Sequence, residues 1–419
     1  VITNNKTIIK TDTLYFPAMG GTLLSSIEKP KDGAKFDYNF YNPKGTCPFY
    51  YGKILVSIGP YLVGRKMKEP DIVDRLKIDR KYVKIFGDSA GYQIATGKLN
   101  YSDELRDFVW NWQNKYVDIA LPIDIPPVIT TKAGDVATET KQRASYEQSL
   151  KNIKWVHDRL DKANCLYLNV QQGRGIDLIE HWYKGVKNFK DFKGWAIGSA
   201  GSSVFHTIFA ILRMFELGEF EDERNRIFHL FGVSTAIMIP TIIYLEKKLH
   251  DLGYKHARVS FDSSTPLLQA AFGNFLYTRN RTASWSYMKI KNTYDYMPYK
   301  GTKFKMPCLC PICSQTETMD NWMDSENMKT KSRWYSVTAL HNMFHMLDFI
   351  VGCETVINMN LPDLSEEFFG KRVTGIFKMI DGAFEAKSPT KWAIHHRHSI
   401  QSTEDKLLLT QKQTSLGDF

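Results

Sequence analysis

The sequence predicts an α/β fold, a (β/α)8 barrel with a cysteine-bearing insertion near its C-terminal end. Three observations lead there. Short β-branched or aromatic runs recur eight times, each separated from the next by enough residues for a helix and its loops. The residues that end these runs are repeatedly Asp, Gln and Gly, on the side of a barrel where loops converge. The chain beyond the last run differs in kind: lysines interleaved with aromatics, then three cysteines crowded together.

The runs are Tyr15 to Met19, Ile54 to Ile58, Tyr82 to Phe86, Ile119 to Ile123, Leu166 to Val170, Gly194 to Ile197, Ile227 to Phe231 and Ala257 to Phe261. Between them Ser102 to Tyr116 reads as a helix with a Ser cap and an acidic first turn, and Thr140 to Ala163 and Pro240 to Leu252 read likewise as helices. A barrel of this kind takes about 250 residues, so residues 1–280 are assigned to it. Residues 281–350 are read as a basic-aromatic insertion and metal subdomain, with a helix over Arg333 to Val351. Residues 351–419 form a C-terminal helical region whose polar tail, from about Gln401, is expected to fray.

The hydrophobic content of 43% supports a large core. Lys and Arg number 55 against 45 Asp and Glu, and the sequence pI is near 9.0. That surplus favours a polyanionic partner, most simply nucleic acid, through phosphate contacts and counterion release. Lys289, Lys291, Lys303 and Lys305 lie among Tyr287, Tyr294, Tyr296, Tyr299 and Phe304, offering cations for phosphates and ring faces for unpaired bases. His395-His396-x-His398, with Arg397 inside it, reads as a phosphate-facing surface rather than a metal site. No secretory leader is read at the N-terminus, and the apolar run from Phe205 to Leu212 is too short for a bilayer. The expectation is a soluble, cytoplasmic protein with no membrane partner.

Cys308, Cys310 and Cys313 supply three soft thiolates within one short segment, a metal site rather than a disulfide framework. A closed tetrahedral zinc site needs a fourth ligand. Cys165 and Cys353 read as buried apolar thiols. The strand ends carry the remaining chemistry: Gly87-Asp88-Ser89-Ala90-Gly91-Tyr92-Gln93, Pro122-Ile123-Asp124, Gln171-Gln172-Gly173, Ile197-Gly198-Ser199, Phe231-Gly232-Val233 and Phe261-Asp262-Ser263. One Asp after a strand is commonly a turn former or a cap. Three carboxylates and a glutamine on one barrel rim point instead to a shared cavity.

These segments resemble the tRNA-guanine transglycosylase superfamily. Asp88-Ser89-Ala90-Gly91-Tyr92-Gln93 is similar to its Asp-Ser-Gly-Gly-aromatic-Gln motif, Gln172-Gly173 to its Gln-Gly strand end, Ala196-Ile197-Gly198 to its sixth strand, and Phe261-Asp262 to the segment bearing its nucleophile. The resemblance implies a covalent glycosyl intermediate on Asp262, with Asp88 as general acid/base. It implies that Asp124 and Gln172 read the purine edge, helped by Ser89, Gln93 and backbone near Gly198, Ser199 and Gly232. Tyr92 would stack on the base and Phe231 close its other face. In the family the fourth zinc ligand is a histidine in a Leu-His-Asn segment, which implies His341 of Leu340-His341-Asn342, with His345 one turn later as the rival. Four protein ligands imply a structural zinc.

The departures bear on substrate. Ala90 stands where the family has glycine, which is tolerable if φ there is negative. Ser199-Ala200-Gly201 replaces the usual Gly-Leu-Ala beside the base. After the nucleophile, Ser263 to Ala270 lacks the arginines with which the tRNA enzymes read an anticodon loop, and none appears before Arg279. In this the chain is most similar to the phage and bacterial DNA 7-deazaguanine transglycosylases. The implied activity is exchange of guanine in DNA for a 7-deazaguanine such as 7-cyano-7-deazaguanine. The rivals are a tRNA-guanine transglycosylase acting on an RNA loop and a non-catalytic nucleic-acid-binding paralogue. A homodimer is compatible with either enzyme.

Overall fold

The computed structural model describes residues 6–29, 36–65, 67–126, 139–173, 176–198, 201, 203–233, 235–277, 286–289, 308–315, 328–409 and 413–414. Every one of the eight apolar runs forms a strand, and one of them forms two segments. In chain order they are β1 (Leu14–Met19), β2 (Lys53–Ser57), β3 (Lys84–Asp88), β4 (Ile119–Ala120), β5 (Leu166–Tyr167), β6 (Asn169–Gln171), β7 (Gly194–Ile197), β8 (Ile227–Leu230) and β9 (Arg258–Ser263). The sheet runs β5-β4-β3-β2-β1-β9-β8-β7-β6, and all its neighbours are parallel. Only Leu168 separates β5 from β6. One segment pairs with β4 and the other with β7, so the two ends of the sheet meet in a barrel.

The barrel interior is filled rather than open, as expected when inward-facing side chains stack in layers. Phe16 meets Phe86 edge-on with centroids 5.5 Å apart, and Phe86 lies 4.3 Å from the His229 ring. Parallel strands buried on both faces need near-continuous apolar sequence, which is why Ile54, Leu55 and Val56 are all buried. The third strand starts two residues later than the sequence suggests and so includes Asp88, while the fourth ends at Ala120, short of Ile123.

The outer helices follow their caps. α1 (Gly91–Ala95) opens on Ala90. α2 (Asp103–Tyr116) begins where the Ser102 hydroxyl accepts from Leu105 N, with Asp103 and Glu104 in the first turn. α3 (Glu139–His157), α4 (Val204–Glu216) and α5 (Met238–Asp251) complete the wall together with Ile176–Val186. α3 stops short of Ala163, and a single 3-10 turn covers Leu160–Lys162. Beyond the barrel come α6 (Thr265–Ala271), α7 (Pro311–Gln315) and α8 (Met328–Met359).

α8 is longer in both directions than Arg333 to Val351. No proline interrupts it, and it ends where Asn360 adopts φ 53°, followed by Pro362 at the start of the next helix, α9 (Pro362–Glu385). It passes without a break through residues 350 and 351, so one helix joins the two regions that the sequence separates. α10 (Arg397–Leu409) carries helix through the tail expected to fray, and Gln413–Thr414 pair with the strand Ser286–Lys289. Among the described residues no helix is long and apolar enough to cross a membrane.

Apolar burial and one amide hold α8 to the barrel. Leu340, Met343, Leu347 and Ile350 are buried, and the helix packs on α5, α6 and the strand Asn274–Tyr277. Asn342 Oδ1 accepts from Leu276 N at 2.8 Å, while its Nδ2 donates to Asn274 O at 2.9 Å and Pro266 O at 3.1 Å. Asn342→Ala removes three buried hydrogen bonds to backbone groups, and should lower unfolding stability by about 2–4 kcal/mol in urea titration. A loss below about 1 kcal/mol would contradict this role for the amide.

Candidate active site and metal centre

The C-terminal ends of the barrel strands bring six of the anticipated residues into two groups, Ser89, Asp124 and Gln172 in contact in the first, Asp262 and Gly232 in contact in the second with Asp88 near enough to feel the Asp262 charge. In the first, Asp124 is buried just beyond β4. Its Oδ1 accepts from the Ser89 hydroxyl at 3.2 Å and its Oδ2 accepts from Gln172 Nε2, so residues from three consecutive strand ends meet. Small residues make this approach feasible. A Cβ on Gly198 would sit 1.7 Å from Gln172 Oε1, and one on Gly91 would sit 1.6 Å from the Asp124 carbonyl oxygen. Gly198 N also donates to Gln171 O at 2.8 Å.

In the second group, Asp262 at the end of β9 accepts from Gly232 N at 2.8 Å through Oδ1, and its side chain is 13% exposed, enough to be reached. Asp88, half-buried at the end of β3, accepts from Ser89 N at 2.8 Å and from the Ser57 hydroxyl. Burial raises the Asp88 carboxyl above the usual range and the Asp262 charge adds to the rise, while the hydrogen bonds from the Ser57 hydroxyl and Ser89 N–H pull against it. Burial, then the Asp88 charge, pushes Asp124 up to about 6, against the hydrogen bonds from Gln172 and Ser89. The carboxylates at positions 88, 124 and 262 therefore act on one another electrostatically at one barrel mouth.

Other anticipated residues stand apart. Tyr92 on α1 is 57% exposed, so its ring face is open to solvent at the rim. Gln93 lies against Gly59, whose Cβ would come within 2.3 Å of it, and its Oε1 is buried without a hydrogen bond. Phe231 is half-buried and packs edge-on against His229 at 4.7 Å. Ala90 has φ 70°, so the condition for tolerating it in place of glycine is not met. A Cβ in the left-handed region costs about 1–2 kcal/mol, strain held at the turn that sets Asp88 and Ser89. Ser199, Lys291, Lys303 and Lys305 lie outside the described residues, and Lys289 is described only as the last residue of a strand.

Two residues in contact with the site escaped the sequence reading. Ser57 ends β2 opposite Asp88 in register. His229 is fully buried inside β8, with Nε2 3.5 Å from Asp262 Oδ1. A serine at a strand end and a polar residue inside the apolar run Ile227 to Leu230 were the available signals. At the opposite, N-terminal end of the barrel, a cavity of about 370 Å³ is lined by Asp12, Glu246, Lys247, Arg258 and Glu354. Its charges are engaged in holding the fold: Arg258 pairs with Glu246 at 2.9 Å, Lys247 with Asp251 at 2.5 Å, and Glu354 accepts from Asp12 N at 2.9 Å.

The three clustered cysteines meet α8. His341 Nδ1 lies 3.3 Å from Cys310 Sγ and 3.2 Å from Cys313 Sγ, and His345 Nε2 lies 3.2 Å from Cys308 Sγ. Ligand atoms of Cys308, Cys310, His341 and His345 fall within 4.8 Å of one another, so the cluster can hold a metal ion. The fit extends beyond the ligand atoms. His341 Nε2 is 2.8 Å from Leu276 O, which leaves Nδ1 deprotonated and facing the thiols. Their mutual contacts hold Cys308 well below the usual thiol range, and push Cys310 up to about 12 and Cys313 well above it. Three crowded thiols cannot all ionise without a compensating cation. Cys165 and Cys353 are raised by burial, as apolar thiols should be.

A scan against protein-family models finds no match for this chain, and a search of curated proteins finds none.

Two measurements check the site. The Asp124 carboxyl is raised from about 3.9 in the unfolded chain to about 6. The folded state therefore binds its proton more tightly, and stability is lost as pH rises between those values. Relative to Asp124→Asn, the wild type should lose about 2 kcal/mol from about pH 4 to about pH 6; a pH-independent difference in urea unfolding would refute the burial of the charged form. Cys310→Ser should release the metal, read by atomic emission, and lower Tm by more than about 5 °C. Metal lost with Tm unchanged would show that the ion does not hold the fold.

Proposed function

We propose that the protein is a base-exchange enzyme of the tRNA-guanine transglycosylase superfamily that replaces guanine in DNA with a 7-deazaguanine such as 7-cyano-7-deazaguanine. The observation that carries this reading is that Asp88 and Asp262, in unlike environments, share one barrel mouth near enough for the Asp262 charge to act on Asp88, with the Asp124–Gln172 pair beside them. Base exchange breaks one glycosidic bond and makes another at the same carbon. Asp262, partly exposed and held by Gly232 N–H, is placed to attack the anomeric carbon. The electron pair of the carbon–nitrogen bond leaves with guanine, which takes the Asp88 proton. An Asp carboxyl raised by burial keeps that proton nearer neutral pH, as a general acid requires. The incoming base then returns a proton to Asp88 and displaces Asp262, which leaves as a carboxylate.

Asp124 and the Gln172 amide offer an acceptor and donor pair suited to the amide and amino edge of a purine, supported by Ser89 and by the close approach that Gly198 allows. Tyr92 is available to stack on a base, with Phe231 on the opposite wall. The metal is zinc, held by Cys308, Cys310, Cys313 and His341 with His345, which lies against Cys308, as the rival for one place; a closed four-ligand shell acts as a structural crosslink. DNA is preferred because α6, directly after the nucleophile, carries no basic side chain and exposes Leu268 instead. A duplex guanine must then flip out to reach the mouth, with Lys289, Lys291, Lys303 and Lys305 assigned to the backbone.

Trapping tests the chemistry. Wild-type protein should form a covalent adduct with guanine-containing DNA when no incoming base is supplied, and mass spectrometry should map it to the Asp262 peptide. Asp262→Ala and Asp262→Asn should abolish it. Asp88→Ala should slow exchange by about 10²- to 10⁴-fold while leaving the attacking atom in place. An adduct on the Asp88 peptide would reverse the roles, and exchange without any adduct would replace double displacement with direct displacement.

A further inference from the structure

The proposed base exchange leaves one buried titratable group unused. His229 is fully buried in β8, its ring held between Phe86 at 4.3 Å and Phe231 at 4.7 Å, with Phe16 at 6.4 Å. Its Nδ1 is 2.9 Å from the hydroxyl of Ser260, which lies opposite it on β9 and is itself fully buried. Its Nε2 has no hydrogen bond within normal range, yet lies 3.5 Å from Asp262 Oδ1, the oxygen that also accepts from Gly232 N. A polar atom enclosed by aromatic rings and left without a partner is costly. Here it points at one oxygen of the residue assigned as nucleophile.

We propose that His229 is a positioning residue for Asp262. Ser260 donates to Nδ1 and so keeps the proton on Nε2, which faces Asp262 Oδ1. Gly232 N–H and His229 Nε2–H then converge on Oδ1 and leave Oδ2 as the attacking oxygen. When the glycosyl ester forms, Oδ1 becomes its carbonyl oxygen. When the incoming base displaces the ester, the electron pair of the carbon–Oδ2 bond returns to the carboxylate, and the charge that develops on Oδ1 meets two N–H donors already in place. The second half of the exchange should thus depend on His229 more than the first. The other ionisable groups that face this cluster are Asp88 and Tyr15, each of which feels the Asp262 charge. This inference rests on Asp262 being the nucleophile.

The test separates the two claims. In nitrogen-labelled protein, histidine NMR should find His229 neutral and protonated on Nε2, and Asp262→Asn should shift that resonance; an Nδ1–H tautomer, or no response to Asp262→Asn, would overturn the proposal whatever the activity. In single-turnover assays on guanine-containing DNA, His229→Phe, which refills the aromatic cage, should slow adduct breakdown by about 10- to 100-fold more than adduct formation, so adduct accumulates. His229→Gln, which restores an N–H near the Nε2 position, should recover much of the lost rate. Equal slowing of both steps without rescue by Gln would reduce His229 to a packing residue. Absence of exchange in the wild type, with the NMR result intact, would sink the function and leave the His229–Asp262 contact standing.

Discussion

Closure of a parallel sheet through the single segment Leu166–Gln171 is the constraint on which the rest of the molecule depends. β5 finishes one side of the sheet against β4, and β6 finishes the other against β7, with only Leu168 between them. That closure makes the ends of β3, β4, β6, β8 and β9 share one mouth. Gln172, one residue past β6, can therefore reach Asp124, and Asp88 can feel the charge of Asp262. In an open sheet the same residues would lie along a line, and their pKa shifts and hydrogen bonds would not be coupled.

The region after Asp262 is tied to the barrel by two adjacent residues of α8. Leu276 gives its N–H to Asn342 Oδ1 and its carbonyl to His341 Nε2. The same histidine turns Nδ1 towards Cys310 and Cys313. A metal held there would fix α8, the strand Asn274–Tyr277 and, through Asn342 to Pro266, the helix that follows Asp262. Such a metal would brace the segment that follows Asp262, with α8 as its lever arm.

Most of the barrel was legible because buried parallel strands demand local apolar runs, and local patterns are what a sequence displays. The rim carboxylates were legible too, since each sits directly after its run. The features that escaped notice depend on contacts made far along the chain. The pairing of His229 with Asp262 arises from neighbouring strands, and a histidine inside Ile227 to Leu230 has no local signature for it. The positive φ at Ala90 belongs to a turn packed so closely on Asp124 that a Cβ on Gly91 would sit 1.6 Å from the Asp124 carbonyl oxygen. α8 extends beyond Arg333 to Val351 at both ends, and the sequence does not display the packing of this helix on α5 and α6. Four ligands were anticipated, with His345 as the rival to His341 for the fourth place, and both histidines face the thiols.

Base exchange on DNA is the central claim, and its most direct test is transfer of label. Purified protein is incubated with isotopically labelled guanine, with double-stranded DNA and tRNA offered separately, and the polymer fraction is counted. Label should enter DNA, and a 7-deazaguanine base added afterwards should chase it out. Label entering tRNA alone would contradict the substrate, and label entering neither polymer would contradict the enzyme.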